Sequence, residues 1–307
     1  MSVQHSAPAN TAASSEGRDL FAIVFCTFAW GTTWFAITMQ LGVVDPVVSV
    51  TYRFALSAAM LFAWCALTRQ PLALTRAQHV TAFGVGVFTF AINYALVYWA
   101  EERVTSAVVA VMFASLAFLN LIGFRIAFGQ RPPMLAWAAA TLGIAGVALL
   151  SWEEIASAQF GARATIGIGL TLIAVTASVV GNVFARRGEM AGTPLIASTG
   201  WAMAYGTMLL ALYALISGKQ WAFEPTWGYA LSLFYLAAIG SVMAFVLYYG
   251  LARRRGYATA SYISALAPPV AMLVSTLLED KVWGMLALAG VVFVLCGQFL
   301  LLRIRRT

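Results

Sequence analysis

Charged side chains are rare in the apolar part of this chain, and Arg53 is the one full charge well inside an apolar stretch. A buried arginine is costly unless it is paired or hydrated, so it needs a partner. Three interpretations stay open: the guanidinium binds an anionic group of a ligand, it pairs with Glu101 or Glu102, or it ties helices together through backbone carbonyls. The apolar stretches contain no Asp, Glu or Lys, which disfavours cationic ligands and removes the usual proton carrier.

Amide side chains inside apolar stretches are a second set of candidates: Asn93, Asn120 and Asn182. Each would lack hydrogen-bond partners against lipid, so each is expected to face the protein interior. There an amide either binds a ligand or bridges two helices, an interaction worth about 0.6 kcal/mol on average in membranes. Asn93, near mid-depth, is the best placed of the three to bind a ligand.

Aromatic side chains recur at helical spacing. Trp30 and Trp34 lie four residues apart, as do Tyr94 and Tyr98, so each pair shares a helix face. These faces predict an aromatic-lined pocket for bulky apolar groups, with the aromatic belt at the membrane surface as the alternative. Adjacent aromatics also end two apolar stretches, and we expect them to narrow opposite mouths of a path: Tyr98-Trp99 and Tyr248-Tyr249.

Two adjacent prolines, Pro268 and Pro269, fall in the middle of an apolar stretch. Each lacks a backbone donor and clashes with a carbonyl one turn earlier, near Ser264. Freed carbonyls that line a cavity can bind an amine, and the kink can act as a hinge. A static kink satisfied by a neighbouring helix is the alternative.

Ten apolar stretches must position these side chains, each long enough, at about 20 residues, to span a bilayer. The chain is 62% hydrophobic and 9% charged, which excludes a soluble globular protein. Lipid requires internally hydrogen-bonded helices with apolar surfaces. The sequence therefore predicts an all-α integral membrane protein with ten transmembrane helices, at residues 20–41, 46–68, 80–100, 104–124, 133–151, 165–185, 194–216, 227–250, 257–278 and 283–302.

The second five stretches repeat the pattern of the first five, with Pro46 and Pro194 in corresponding places. Since five is odd, the second copy must enter the membrane in the opposite orientation, which gives two inverted five-helix repeats around a central path. We expect a disordered cytoplasmic tail at 1–19, a first repeat at 20–151, an external linker at 152–164, a second repeat at 165–302 and a basic cytoplasmic tail at 303–307.

The basic residues are unevenly distributed between the predicted loops. With the N-terminus in the cytoplasm, 13 of the 18 lysines and arginines lie inside and 4 outside. This bias predicts a multi-pass protein of the cytoplasmic (inner) membrane with both termini in the cytoplasm, and no nucleic-acid partner. Three scattered cysteines, two histidines outside the apolar stretches and the lack of a Walker motif predict no metal, cofactor or ATP site.

Short segments in both halves carry a resemblance to a known family: Ala29-Trp30-Gly31-Thr32, Tyr52-Arg53-Phe54, Gly143-Ile144-Ala145-Gly146-Val147-Ala148 and Pro268-Pro269-Val270. Over residues 20–302 the chain resembles the EamA-type permeases of the drug/metabolite transporter superfamily. The resemblance implies ten helices, inverted repeats, a central substrate path and export of amino acids or other small metabolites. Family repeats often end their fourth and ninth spans with Gly-Glu, whereas here those places read Gly129-Gln130 and Glu279-Asp280.

We therefore expect a secondary transporter that exports an amino acid, or a related zwitterionic or anionic compound, by alternating access. Uptake or exchange of another organic anion or neutral metabolite is the alternative within transport. A membrane-embedded enzyme or a non-transporting assembly factor is the alternative of another class, and the enzyme is disfavoured because no apolar stretch holds a catalytic set. Uniport, or coupling through Glu101 or Glu102 at the outer mouth, stays open, as does the choice between monomer and homodimer.

The expected partners are thus a small-molecule substrate and the lipid bilayer. The predicted substrate-binding residues are Arg53, Trp30, Trp34, Asn93, Tyr94, Asn120, Asn182 and Ser264. The predicted gating residues are Tyr98, Trp99, Tyr248, Tyr249, Pro268 and Pro269.

Overall fold

The structure, a computed structural model, describes residues 9–156, 161–260 and 262–303, and this part of the chain is helical apart from short connections. Seven of its helices are long and apolar enough to cross a membrane, and the other three contain shorter apolar segments. The predicted all-α membrane fold is confirmed. In chain order the helices are α1 Ala9–Thr38, α2 Pro46–Leu67, α3 Arg76–Glu101, α4 Ser106–Phe128, α5 Met134–Ala156, α6 Gly161–Met190, α7 Leu195–Ile216, α8 Trp227–Arg255, α9 Tyr262–Leu278 and α10 Met285–Arg303.

Local sequence signals explain several helix ends. The Asp45 carboxylate accepts a hydrogen bond from the Val47 amide at 2.9 Å, and Pro46 occupies the first turn of α2. At the start of α3, Thr75 and Gln78 form a capping box. Gly129, with a φ of 65°, ends α4 in the left-handed region that glycine adopts without strain.

Helices of one half of the chain pack against helices of the other half. α2 packs along α7, and α5 packs along α10. α1 packs against α8 and α9, just as α6 packs against α3 and α4. When every helix is replaced by its counterpart five helices away, the pairs α2–α7 and α5–α10 stay the same. The contacts of α1 with α8 and α9 then become those of α6 with α3 and α4, as two repeated halves require. A site at the centre of the bundle is therefore built by both halves.

Successive helices run in opposite directions, so their ends form two faces. We call them the linker face, where α5 ends and α6 begins, and the termini face, where α1 begins and α10 ends. The linker face also holds the end of α3 and the end of α9. The termini face also holds the end of α4 and the end of α8.

Two helices contain π-helical segments at corresponding places, Gly86–Asn93 in α3 and Ala238–Met243 in α8. A π-helical segment frees or shares backbone carbonyls and changes the direction of the side chains that follow it. In α8 the Ser241 hydroxyl donates to the carbonyl of Leu236, five residues earlier, at 2.8 Å. Both segments lie next to the centre of the bundle, where they shape the site.

The ends of the predicted segments differ from the structure. α1 begins at Ala9, so residues 9–19 are helical where the sequence predicts a disordered tail, and residues 1–8 lie outside the described residues. α5 and α6 extend into the predicted linker 152–164, of which residues 157–160 lie outside the described residues. Residues 304–307 of the predicted basic tail also lie outside them.

Candidate functional site

A cavity lies between the two halves of the bundle. Its walls come from α1, α3, α4, α6, α8 and α9, which are three pairs of corresponding helices. The lining is mostly apolar, and in the described part of the chain no charged side chain contributes to it. The polar side chains of the lining, apart from the aromatic ones, are Thr33, Thr89, Asn93, Ser178, Asn182 and Ser264. A few polar groups in an apolar enclosure are typical of a small-molecule site.

Aromatic rings form much of the cavity wall, as the sequence predicts. The Trp30 ring lies 5.2 Å from the Tyr248 ring, and the Trp34 ring lies 4.9 Å from the Phe113 ring, measured between centroids. Tyr94 completes this wall from α3. Such rings give a large apolar contact area for a bound molecule.

Two polar groups in the wall have no hydrogen-bond partner among the described residues. They are the indole Nε1 of Trp34 and the hydroxyl of Thr89, and both atoms are shielded from water. A buried donor without a partner costs about 1–3 kcal/mol. A bound molecule with an acceptor oxygen would satisfy both groups, so they are the donors available for recognition.

The amides in the cavity wall bridge helices. The Asn93 side chain on α3 donates to the carbonyl of Ala174 at 2.8 Å and to the hydroxyl of Ser178 at 2.7 Å, both on α6. The Asn182 amide donates to the Asn120 side-chain carbonyl at 3.3 Å and to the Tyr248 hydroxyl at 3.5 Å. These bonds hold the wall together, while both amides still face the cavity.

A second cavity lies on the termini-face side of the first. Its lining includes Asn120 and two basic side chains, Arg186 and Arg253. We call Asn120, Asn182 and Tyr248 the amide layer. Asn182 and Tyr248 line the central cavity and Asn120 lines the second, so the hydrogen bonds of the amide layer join the boundaries of the two cavities.

Arg53 lies behind the cavity wall and not in it. The residue is 1% exposed, and its Nε donates to the Ser241 hydroxyl of α8 at 2.9 Å. The guanidinium lies over the Tyr94 ring at 4.6 Å from its centroid. Tyr94 is part of the cavity lining and Arg53 is not, so the predicted contact of Arg53 with a bound anion has no support from this geometry.

The alternative prediction for Arg53, an ion pair with Glu101 or Glu102, is also not what the structure contains. Glu102 pairs with Arg103 at 3.0 Å on the exposed surface of the linker face. Arg53 and Glu101 form no ion pair within 4.0 Å, although their charges interact at longer range. Arg53 is held by the Ser241 hydroxyl and by the rings of Tyr94 and Phe54.

The predicted gating aromatics are separated by the fold. Tyr248 lines the central cavity, and its neighbour Tyr249 is buried in a small pocket among α3, α6, α7 and α8. Tyr98 is fully buried between the cavity and the linker face. Trp99 lies on the opposite side of α3, with its ring 6.2 Å from that of Tyr213 on α7, along a lateral groove. Trp99 therefore lies away from the path that the other residues define.

The prolines of α9 do not interrupt it, since Tyr262–Leu278 is one helix through Pro268 and Pro269. Ser264, one turn earlier, and Ala267 line the central cavity. The interruption falls in the corresponding helix α4, between Phe113 and Leu116. The sequence predicts the opposite, a break in α9 and not in α4, because each proline of α9 lacks the backbone N–H that the residues of α4 keep.

Acidic side chains do lie within the helices, because two helices extend beyond the predicted apolar stretches 20–41 and 80–100 and include Asp19 and Glu101. Asp19 of α1 forms ion pairs with Arg254 at 2.9 Å and Arg255 at 2.6 Å, which tie α1 to α8 at the termini face. Glu101 ends α3 and is 7% exposed, where the sequence places it in an outer loop. The missed signal is the spacing of Tyr94, Tyr98 and Glu101, which puts the three on one helix face.

Comparisons with known proteins decide the family. A model of the EamA-like transporter family matches residues 18–152 and 165–303, one match for each half. The chain belongs to the EamA-like transporter family. It is a multi-pass membrane transporter, with the bilayer and a small-molecule substrate as its partners.

Curated relatives of this EamA-like transporter have names that give no substrate. An uncharacterized inner membrane transporter, YedA, of Escherichia coli is 27% identical over 265 residues, covering 84% of this chain and 82% of the relative. The protein PagO of Salmonella typhimurium is 23% identical over 271 residues, covering 86% and 84%. A solved crystal structure with 19% identity superposes with a TM-score of 0.70 over 95% of this chain and 98% of that one, which shows the shared fold.

Proposed function

We propose that this EamA-like transporter exports a small zwitterionic or neutral metabolite with an apolar side chain, such as an amino acid, by alternating access. The central cavity supports this proposal most directly. It offers aromatic surface and two unpartnered donors, and none of the described charged side chains lines it. A molecule with net charge would lose its hydration in the cavity without gaining a counter-ion. A zwitterion or a neutral molecule brings no net charge and so needs no counter-ion from the cavity wall.

The acceptor end of the bound molecule is proposed to meet Trp34 and Thr89. A carboxylate there would accept hydrogen bonds from both groups. The Arg53 guanidinium, one ring thickness behind Tyr94, adds a favourable potential on the same side without direct contact. An apolar side chain would then lie against the rings of Trp30 and Tyr248.

The direction of transport is proposed from the distribution of charge. Cytoplasmic loops of membrane proteins carry an excess of lysine and arginine, which places the arginine-rich termini face in the cytoplasm. The second cavity would then be a cytoplasmic vestibule, separated from the central cavity by the amide layer. A substrate entering from the cytoplasm would cross that layer first.

The experiment is counterflow in proteoliposomes of the purified protein. Tritiated L-phenylalanine and L-leucine are the test substrates, with succinate as a dianion and tetraphenylphosphonium as a cation. We expect saturable exchange of at least one amino acid and none of the two charged compounds. Exchange of succinate or tetraphenylphosphonium in preference to both amino acids would contradict the proposed substrate class.

Orientation is tested separately with single cysteines on a Cys296→Ser background, since Cys26 and Cys65 are buried. Arg131→Cys and Gln220→Cys place exposed thiols on the termini face and the linker face. In intact cells an impermeant maleimide should label Gln220→Cys and leave Arg131→Cys unlabelled. The opposite pattern would place the second cavity outside and argue for uptake.

A further inference from the structure

A group of polar side chains, most of them buried, lies between the central cavity and the linker face. We call Arg53, Tyr98, Glu101, Ser106 and Glu279 the linker-face cluster. The Ser106 hydroxyl at the start of α4 donates to the Glu279 carboxylate, beyond the end of α9, at 2.6 Å. Glu101 lies close enough to Glu279 and to Arg53 for the three charges to interact. Four helices thus bring two carboxylates and one guanidinium together.

The Glu101 carboxylate of the linker-face cluster has no hydrogen-bond partner among the described residues, and both of its oxygens are shielded from water. The Tyr98 hydroxyl and the Arg53 guanidinium beside it interact with each other. Glu101, Tyr98 and Arg53 are 7%, 0% and 1% exposed. A carboxylate buried without a partner costs several kcal/mol, and a second carboxylate nearby adds repulsion. Burial and the nearby carboxylate thus favour the neutral, protonated form of Glu101 over the ionised form.

We infer that Glu101 and Glu279 form a proton-binding site that couples proton movement to the alternation of the central cavity. The inference rests on the proposed alternating-access function, because it assigns that cycle an energy source. With the proton bound, the Glu101 carboxyl stays buried and Arg53 stays on Ser241 and Tyr94. On release, the O–H bond of Glu101 breaks, the proton passes to water at the linker face, and the carboxylate attracts the Arg53 guanidinium.

Arg53 connects this site to the substrate. Its guanidinium packs on the ring of Tyr94, which is part of the lining of the central cavity. It also holds the π-helical segment of α8 through Ser241. Movement of Arg53 toward an ionised Glu101 withdraws both contacts, so proton release at the linker face changes the cavity wall. Arg53 thus makes different contacts when Glu101 is protonated and when it is ionised. Such a difference between two states is what couples proton binding to the shape of the cavity.

A proton suits the linker-face cluster better than a metal cation. The Arg53 charge would repel a sodium ion beside Glu101, whereas a protonated carboxyl is neutral and is not repelled. Sodium and other hard cations also need several oxygen ligands at once, and the described residues contain no group of three or more His, Cys, Asp or Glu side chains that could hold one. The charged and titratable groups that face Glu101 are Arg53 of α2, Tyr98 of its own helix and Glu279 after α9.

The first test is an infrared pH titration of the protein reconstituted in lipid. The carbonyl band of a protonated carboxylic acid should disappear as the pH rises from mildly acidic to mildly alkaline. Glu101→Gln should remove this band, and Glu102→Gln is the matched control that should keep it, because Glu102 is exposed and paired with Arg103. Glu279→Gln should shift the loss of the band to lower pH, because it removes a neighbouring negative charge. A band that survives Glu101→Gln unchanged overturns the proposal.

The second test measures the coupling without any substrate. An Ala110→Cys thiol on the Cys296→Ser background lies in the cavity wall, and its rate of reaction with a maleimide reports access to the cavity. That rate is divided by the rate of an exposed Arg131→Cys thiol at the same pH, which removes the pH dependence of the maleimide reaction itself. The ratio should depend on pH in the parent and become independent of pH in Glu101→Gln. If the Glu101 variant does not fold, Glu279→Gln is the second variant, and the pH dependence should shift to lower pH. Equal pH dependence in the parent and both variants overturns the coupling, and dependence on sodium at constant pH would favour a cation instead.

These two tests separate this proposal from the proposed function. A protein that transports phenylalanine but shows neither the infrared band nor pH-dependent labelling leaves the export proposal standing and overturns the proton site. A protein that passes both tests and transports no amino acid contradicts the proposed substrate class, while the proton site stands.

Discussion

The two tryptophans of the cavity wall differ in their hydrogen bonds. The Nε1 of Trp34 has no partner among the described residues, whereas the Nε1 of Trp30 donates to the Gly240 carbonyl at 3.2 Å. Trp34→Phe keeps most of the ring and removes only the donor. We expect it to weaken substrate binding by roughly two- to tenfold, since one hydrogen bond contributes about 0.5–1.5 kcal/mol. The measurement is the half-saturating concentration in amino-acid counterflow.

Trp64→Phe is the matched control for that change. Trp64 lies on α2, is 44% exposed and does not line the cavity, so its substitution should leave half-saturation unchanged. Trp30→Phe should cost stability as well as affinity, because it leaves the Gly240 carbonyl without its donor. An unchanged half-saturation in Trp34→Phe would mean that the substrate does not use the indole donor.

Single residues also mark the limit of what the sequence can predict. The interior placement of Arg53 and of the amides follows from the cost of a polar group against lipid, and the structure has these residues buried. Their partners do not follow, because Arg53 meets Ser241 across 188 residues of sequence and Asn182 meets Asn120 across 62. Side chains cannot be paired over such distances without knowing which helix faces meet. Trp99 was predicted beside Tyr98 at a mouth, yet adjacent helical residues face different sides.

At the scale of helices, the packing of α3 on α7 depends on glycine. A Cβ at Gly86 would lie 2.6 Å from the Ala202 carbonyl oxygen, which is backbone and cannot rotate away. Gly86 also begins the π-helical segment that leads to Asn93. We expect Gly86→Ala to destabilise the protein by about 1–3 kcal/mol, the usual cost of overpacking. Thermal unfolding in detergent measures the change.

Gly169→Ala is the control on another helix. A Cβ there meets nothing within 4 Å, and alanine is the better helix former, so the melting temperature should stay the same or rise slightly. Equal melting temperatures for Gly86→Ala and Gly169→Ala would contradict the close approach of α3 and α7.

A surface ion pair connects two loops of the linker face and has a predictable dependence on pH. Lys219, after α7, pairs with Asp45, before α2, at 2.8 Å, and the hydrogen bond to Asp45 raises the pKa of Lys219 above its ordinary value. A raised pKa adds stability below the ordinary lysine pKa, and this stability is lost as the pH rises through the raised value. Asp45→Asn keeps a capping side chain for α2, so it should lower the free energy of unfolding at neutral pH by about 0–1 kcal/mol.

Comparison of unfolding curves for Asp45→Asn and the parent checks this prediction. The difference should vanish at strongly alkaline pH, where Lys219 loses its charge in both proteins. Lys219→Met should give the same small loss at neutral pH. A difference that persists unchanged at alkaline pH would assign it to the helix cap and not to the ion pair.

The number of helices and the repeat follow from the sequence, because hydropathy and order are properties of local segments. The π-helical segments and the interruption of α4 are not local in this sense. They depend on backbone approaches such as Gly86 against α7 and on neighbours that replace a lost helical hydrogen bond. The prolines of α9 illustrate the same point, since the helix continues where the sequence alone suggests a break.

At the scale of the whole molecule, the two cavities and the linker-face cluster form one line across the bundle. From the termini face the line crosses the second cavity, the amide layer and the central cavity, and it ends at the buried Glu101. The barrier toward the termini face is a thin layer of amide hydrogen bonds, whereas the barrier toward the linker face contains charged groups. Because the two barriers differ in chemistry, a proton can act on the charged barrier at the linker face and the substrate on the amide barrier toward the termini face.

The amide layer yields the last prediction, which concerns access to the central cavity. Asn182→Ala removes the hydrogen bonds to Asn120 and Tyr248, each worth about 0.6 kcal/mol in a membrane, so opening toward the termini face should become roughly five- to tenfold more frequent. Maleimide labelling of Ala110→Cys from the termini side should accelerate accordingly. Asn120→Ala breaks one of the same bonds, so the effects of the two substitutions should be less than additive in the double variant. Labelling that stays at the parent rate in Asn182→Ala would show that the amide layer is not the barrier and that access is controlled elsewhere, with the ion pairs of Asp19 at the same face as the next group to change.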